Sequence, residues 1–323
     1  MDVVTVGWLT IDDIVLADHV CHPGVLGGGA LYSAVGARLW TPRVGIQAVI
    51  GRAHSDTVRD GIRARGIDTD GIAAIEANGL LLWLLHESEA AKQQVPKLAS
   101  STPDEIDREC PALNASYKSA RAFHVAPQSP AGSLDNVRQL TQLAGKPIVT
   151  LDLLSDEFID RVQYQDLSFL NAITAFLPSE AEVARIWHPA DLPSWLRAQA
   201  MAHRCHMGVK LGERGAVVCD AMTNALYRIP AYPARVIDTT GAGDGFCGGF
   251  IAGLVAGKSV TECAAMATVS ASYVVEACGA LATALPDDKD REERLQAVMS
   301  RVEVLHFGSP NGGSPRLALG EEL

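Results

Sequence analysis

The chain has 323 residues, 48% hydrophobic and 20% charged, with 29 Gly and 16 Pro, which excludes disordered, collagen-like and disulfide-scaffold classes. A net charge of −11 gives no electrostatic footprint for nucleic acid, and no apolar run approaches the length of a transmembrane helix. No nucleic-acid or membrane partner is therefore expected, and an anionic ligand would need local basic groups or clustered backbone N–H donors.

Residues 3–7 open the chain as a strand, with no basic leader or cleavage site before it. Seven cysteines without a CxxC pair read as reduced thiols, and together these features predict a cytoplasmic protein. Further buried strands are predicted at 44–50, 122–125, 148–153, 174–177, 207–210 and 216–219, all brief, apolar and β-branched. Between them, 30–39, 57–65, 133–143, 180–187 and 194–203 have helical spacing. This alternation predicts an α/β domain with a central, mainly parallel sheet and helices on both faces, its ligands outside the carboxyl ends of the strands. Segments 14–26 and 73–95 break the rhythm, and 80–85 is one continuous apolar run. They predict a small β lid on a domain spanning 1–305, followed by a mobile tail at 306–323.

The most informative segment is 236–250, VIDTTGAGDGFCGGF, where an apolar strand end runs into a glycine-rich turn and then a helix. Gly241, Ala242 and Gly243 let N–H groups converge at a helix N-terminus, which favours an anion. Asp244 stands beside that anion site. A carboxylate there repels phosphate, yet it is well placed to take a proton from a hydroxyl attacking it. A helix-capping role is the plainer alternative.

The segment DTTGAGDGF, from Asp238 to Phe246, resembles the C-terminal signature of the ribokinase-like (PfkB) family of carbohydrate and nucleoside kinases. Other landmarks follow in order over residues 3–300. VGWLTID at 6–12 resembles the first strand with its substrate aspartate, Asp12, and GGGALYSAV at 27–35 the di-glycine substrate motif, with Gly27 and Gly28 matching. PSEAE at 178–182 resembles the Asn-x-x-Glu segment, and LGERG at 211–215 the nucleotide-binding loop. The resemblance implies a ribokinase-like fold and ATP-dependent transfer to a hydroxyl, with Asp244 as base and the Gly241–Gly243 amides as anion hole. It places Glu182 near Mg2+ through water, and Lys210, Gly212, Gly215 and Thr239 at the nucleotide. Asp238 and Thr240 would line a site for a monovalent cation such as K+.

Several positions depart from that pattern. The asparagine of Asn-x-x-Glu is Ser179, Gly245 replaces the usual Thr, Ala or Ser, and Tyr32 stands where sugar kinases often carry Asn. Gln128, at an often acidic substrate position, is the remaining substrate candidate. The GGGALYS pattern is most similar to branches that include inositol kinases. Trp8, near Asp12, is a candidate substrate wall.

Some motifs mislead. AGLVAGKS at 252–259 fits a loose phosphate loop but lies at a helix end, and GDGFCG at 243–248 lies inside a helix, far from a dinucleotide context. His203, Cys205 and His206 lack a fourth ligand, His124 reads as a core histidine, and Arg214 as an exposed loop arginine. The leading expectation is a kinase of a small neutral sugar or cyclitol, because no basic cluster is visible near the di-glycine motif. A nucleoside kinase is the nearer alternative, since Tyr32 and Trp8 offer a platform for a base. A non-catalytic nucleotide- or sugar-binding regulator on the same fold is the other class. The apolar 80–85 run also suggests a homodimer through the lid.

Overall fold

Runs such as VVTV and IVTL are too short and too evenly apolar for amphipathic helices, and they form strands sealed on both faces. The computed structural model describes residues 1–87, 92–154 and 162–306. In chain order the strands are β1 Val3–Val6, β2 Thr10–Val15, β3 Cys21–Gly27, β4 Val44–Gly51, β5 Asp68–Ile75, β6 Leu80–His86 and β7 Lys92–Pro96. They continue with β8 Ala122–Val125, β9 Ile148–Leu151, β10 Ala175–Phe176, β11 His206–Lys210, β12 Ala216–Asp220, β13 Ala225–Ile229 and β14 Glu303–Leu305.

The large sheet runs β14-β13-β12-β11-β10-β9-β8-β1-β4-β5, parallel from β5 to β11 and antiparallel beyond. Alternate residues of β1 enter different cores. Val4 and Val6 pack with Val137, Val183 and Leu196 of the helices on one face, while Val3 packs with Ala30, Val35 and Ile251 on the other. The fold is thus an α/β layer structure with helices on both faces, as the alternation of elements predicts.

The lid is a separate sheet, β3-β2-β6-β7. Its limits correct the expectation of segments at 14–26 and 73–95. Ala73, Ala74 and Ile75 finish β5, paired with Val49, Ile50 and Gly51 in the large sheet, so the second lid segment starts at Leu80. The first starts at Thr10, which brings Asp12 into the lid. Residues 88–91, within the expected lid segment, and the expected tail beyond His306 lie outside the described residues. The helix Val260–Val275 also went unread, because Cys263–Ala267 are buried in succession and leave no amphipathic contrast. Among the described residues no helix is long and apolar enough to cross a membrane.

Candidate active site

Strand order reverses between β1 and β8, the place where open α/β sheets bind ligands. The carboxyl ends of the parallel strands there open on a cleft of about 840 Å³ roofed by the lid. In the parallel β2/β6 register, Thr10, Asp12 and Ile14 lie beside Leu80, Leu82 and Leu84. One lid face therefore presents an apolar wall with one carboxylate in it, and Trp8 and Tyr32 add aromatic surface to the cleft.

Asp12 is 2% exposed; its Oδ2 accepts from Thr10 Oγ1 at 2.8 Å, while Oδ1 is buried and unpartnered. Burial raises its carboxyl to about 7, against the Thr10 hydrogen bond and the charges of Lys92 and Lys97. Gly28 lines the cleft and Gly27 does not. A Cβ on Gly27 would fall 2.2 Å from Asp12 Oδ2, so this glycine leaves room for the aspartate rather than for a ligand.

The helix Ala242–Val255 begins in the cleft. Gly241, its N-cap, has φ 76°, and a Cβ there would sit 2.1 Å from the Tyr32 ring. Only glycine combines that left-handed turn with a face-on aromatic support. The Gly241 and Gly243 amides have no hydrogen-bond partner among the described residues, whereas Ala242 N–H already donates to Thr239 O at 3.3 Å. Of the three amides expected to face an anion, those of Gly241 and Gly243 are open. Asp244 follows in the first turn, and its Oδ1 is buried without a partner. Burial, then the charge of Asp152, raises its carboxyl to about 6, opposed by Lys210 and Lys92.

Lys210, at the end of β11, reaches under the turn, and a Cβ on Gly243 would lie 3.2 Å from its Nζ. It pairs with Asp152, just past β9, with Cys247 Sγ 3.9 Å away. Burial opposes the ammonium charge, but Asp152, Cys247 and Glu182 more than offset it and hold Lys210 above its usual range. Glu182 is pushed up by burial and by Asp152. Glu182, held up in this way beside the Asp152 carboxylate, makes a pair of acidic groups that suits a divalent cation, as expected for Mg2+. Asp152 was missed in the sequence; its only signal is an acidic residue directly after a buried parallel strand. Lys92 also lines the cleft, and nothing in its sequence context marks it.

Thr239, Thr240 and Gly212 line the cleft as expected. Asp238 lies beneath it: Oδ1 accepts the Thr240 N–H at 2.8 Å and Oδ2 is buried and unpartnered, which suits a cation. Two candidates are displaced. Gln128, 3% exposed, lines a different cavity with Gln47 and Asn136, and its Oε1 accepts from Asn136 Nδ2 at 3.3 Å. Its neighbours Pro127 and Ser129 face the cleft instead, so extended-chain alternation turns Gln128 away. Gly215 sits in the β11–β12 turn, where a Cβ would meet Ile229 O at 2.0 Å; it shapes the loop without lining the cleft.

The misleading motifs resolve simply. Residues 252–259 span the end of the Ala242–Val255 helix and the cap of the next, His124 is buried against Thr150, and Arg214 pairs with Glu180. No cluster of metal-ligating side chains occurs around His203, Cys205 and His206 among the described residues.

Two of the motif departures, Ser179 and Gly245, have local causes. Ser179 caps the helix Glu180–Trp187 in a capping box: Ser179 N–H donates to Glu182 Oε2 at 2.6 Å and Glu182 N–H to Ser179 Oγ at 3.3 Å. At Gly245 a Cβ would come within 2.7 Å of Val274 Cγ2. We expect Gly245→Ala to lower stability by about 1–2 kcal/mol despite the better helix propensity of Ala. Adding Val274→Ala should recover part of it, and denaturant unfolding of the three variants checks this.

The model of the pfkB family carbohydrate kinases matches residues 24–288. Among curated relatives, the cytidine kinase of Thermococcus kodakarensis is 27% identical over 294 residues, covering 86% of this chain and 98% of that protein. The fold is similar to that of a Burkholderia thailandensis nucleoside kinase solved with inosine, with TM-score 0.75 and 16% identity over 92% of this chain and 98% of that one. It is also similar to an Escherichia coli putative ribokinase II solved with ATP and Mg2+, with TM-score 0.70 and 18% identity over 92% and 99%. Together with the order of landmarks from Asp12 to Asp244, the family match establishes that this chain belongs to the pfkB family of small-molecule kinases.

Proposed function

We propose that the protein is an ATP-dependent nucleoside kinase, a single kinase domain over 1–305 with the lid closing its substrate site. The observation that carries the kinase chemistry is the unpartnered Asp244 Oδ1 beside the open Gly241 and Gly243 amides. In this reading Asp244 takes the proton of the attacking substrate hydroxyl as its oxygen bonds to the γ-phosphorus and ADP leaves. The two amides and Lys210 stabilise the charge on the transferred phosphoryl group. Glu182, through water, and Asp152 would hold Mg2+, which would supply charge neutralisation at the phosphates. Asp238 and Thr240 would hold a monovalent cation such as K+ behind the anion hole. Thr239, Gly212 and Lys210 line the nucleotide end of the cleft.

For the substrate class, the apolar wall favours a nucleoside. Asp12 Oδ1 is free to accept from ribose hydroxyls, while Leu80, Leu82, Leu84, Trp8 and Tyr32 offer more apolar surface than a bare sugar covers. The near full-length similarity to a cytidine kinase supports this choice. The sugar or cyclitol reading keeps two supports, the match to the carbohydrate-kinase family model and the resemblance of GGGALYS to branches that include inositol kinases. The outer lid face, where Trp83 is 38% exposed beneath Lys97, belongs to the same reading as the surface of a lid-to-lid homodimer.

ADP release from ATP and Mg2+ in the presence of K+, across nucleosides, pentoses, hexoses and inositols, tests the assignment. We expect turnover on nucleosides with the highest kcat/KM. Turnover confined to sugars or inositols would replace the substrate class, and ATP binding without any turnover would favour a regulator.

A further inference from the structure

His86 ends β6, at the far end of the lid, yet its side chain is only 4% exposed. Its Nε2 lies 3.2 Å from Thr240 Oγ1 and 3.5 Å from Asp238 Oδ1. Both partners belong to the loop that turns into Gly241. Asp238 Oδ1 also accepts the Thr240 N–H, so the three residues form one network. On another side, the Tyr32 ring packs against Gly241. The turn is therefore held by Tyr32 from the main domain and by His86 from the lid.

Register makes this contact part of the lid's architecture. His86 pairs with Lys92 across β6 and β7, and Lys92 lines the cleft on the same lid face as Leu82 and Leu84. A one-residue slip in β6 would turn His86 outward together with the apolar wall. The lid thus carries its substrate wall and its hold on the turn as one rigid unit.

Resting on the assignment of Gly241–Asp244 as the phosphoryl site, we propose that His86 is a positioning residue that orients the Gly241 and Gly243 amides when the lid is seated on the cleft. The anion hole is then complete only under a closed lid. Its donors become preorganised at the stage when water is excluded, which limits phosphoryl transfer to water. The imidazole touches no reacting atom and acts through Thr240 and Asp238.

The test uses the full chain with His86→Ala, His86→Gln and Thr240→Val. His86→Ala should lower kcat at least about tenfold while substrate KM moves less than about threefold, the pattern of an interaction felt in the transition state. His86→Gln places an amide nitrogen near the same oxygens and should recover most of kcat. Thr240→Val should reproduce the loss, and the double variant His86→Ala/Thr240→Val should be no worse than either single variant by more than about twofold. Hydrogen exchange of the ligand-free protein gives a readout that needs no substrate: the hydrogen-bonded amides of Thr240 and Ala242 should lose protection in His86→Ala and regain it in His86→Gln. Unchanged exchange, a loss confined to KM, or additive double-variant effects would overturn the proposal. A wild-type protein that phosphorylates nothing would instead overturn the kinase assignment, and the exchange result would still decide whether His86 orders the turn.

Discussion

Lys210→Met lowers folding stability by about 3–5 kcal/mol and removes turnover, because it leaves a buried carboxylate without its counter-ion. The Asp152 side chain is 2% exposed and its ion pair is with Lys210. Glu182 and Asp244 lie close enough that each is raised by the Asp152 charge. Removing this ammonium takes the ion-pair partner from Asp152 and leaves three neighbouring carboxylates to repel one another with less compensation, a large fraction of the roughly 5–15 kcal/mol that holds a domain folded. Replacing Asp152 as well, in Lys210→Met/Asp152→Leu, should return most of the stability, since a buried pair is often no better than packed apolar groups. It should not return activity, because the charge beneath Gly243 is still missing. Denaturant unfolding and ADP release on the same samples separate the two effects. Equal stability of wild type and Lys210→Met would contradict the buried-pair argument.

Asp244→Asn should separate stability from activity in the opposite sense. The Asp244 carboxyl is raised from 3.8 to about 6, chiefly by burial. Between those two values the folded protein retains a proton that the unfolded chain has released. Stability from this group is therefore present at low pH and falls as pH rises through about 4–6, so the ionised form is a net cost at pH 7–8. Asn removes that cost and should stabilise the protein there by up to about 2–3 kcal/mol, with the gain vanishing below about pH 4. Loss of the base should lower kcat by about 10²–10⁴-fold. Thermal unfolding across pH checks the first half. A variant less stable than wild type at pH 8 would mean that Asp244 makes a stabilising contact as the carboxylate.

Local signals carried much of the site. DTTGAGDGF is contiguous, and each of its features has a local cause: the positive φ of Gly241, the helix start and the placement of Asp244. The parallel sheet was legible because its strands are short apolar runs separated by helices of clear period. What escaped detection depends on register and parity. Gln128 lies one residue from the cleft-facing Pro127 and Ser129, a distinction that needs the exact end of β8. Asp152, Lys92 and His86 carry no motif and meet the signature residues only through the pairing of β9 with its neighbours and of β6 with β7. Gly27 was visible as a glycine, but the atom it makes room for, Asp12 Oδ2, belongs to a neighbouring lid strand. The expectation of a neutral substrate from the absence of nearby basic residues had the same weakness, since Lys92 enters the cleft from 65 positions beyond Gly27 in the chain.

The most direct measurement is the chemical step itself: single-turnover phosphoryl transfer from saturating ATP to the best substrate, for wild type and Asp244→Asn, with ATP binding measured on both. We predict retained ATP affinity and a transfer rate at least about 10²-fold lower in the variant. A variant that transfers phosphoryl within a few-fold of wild type would show that Asp244 is not the base.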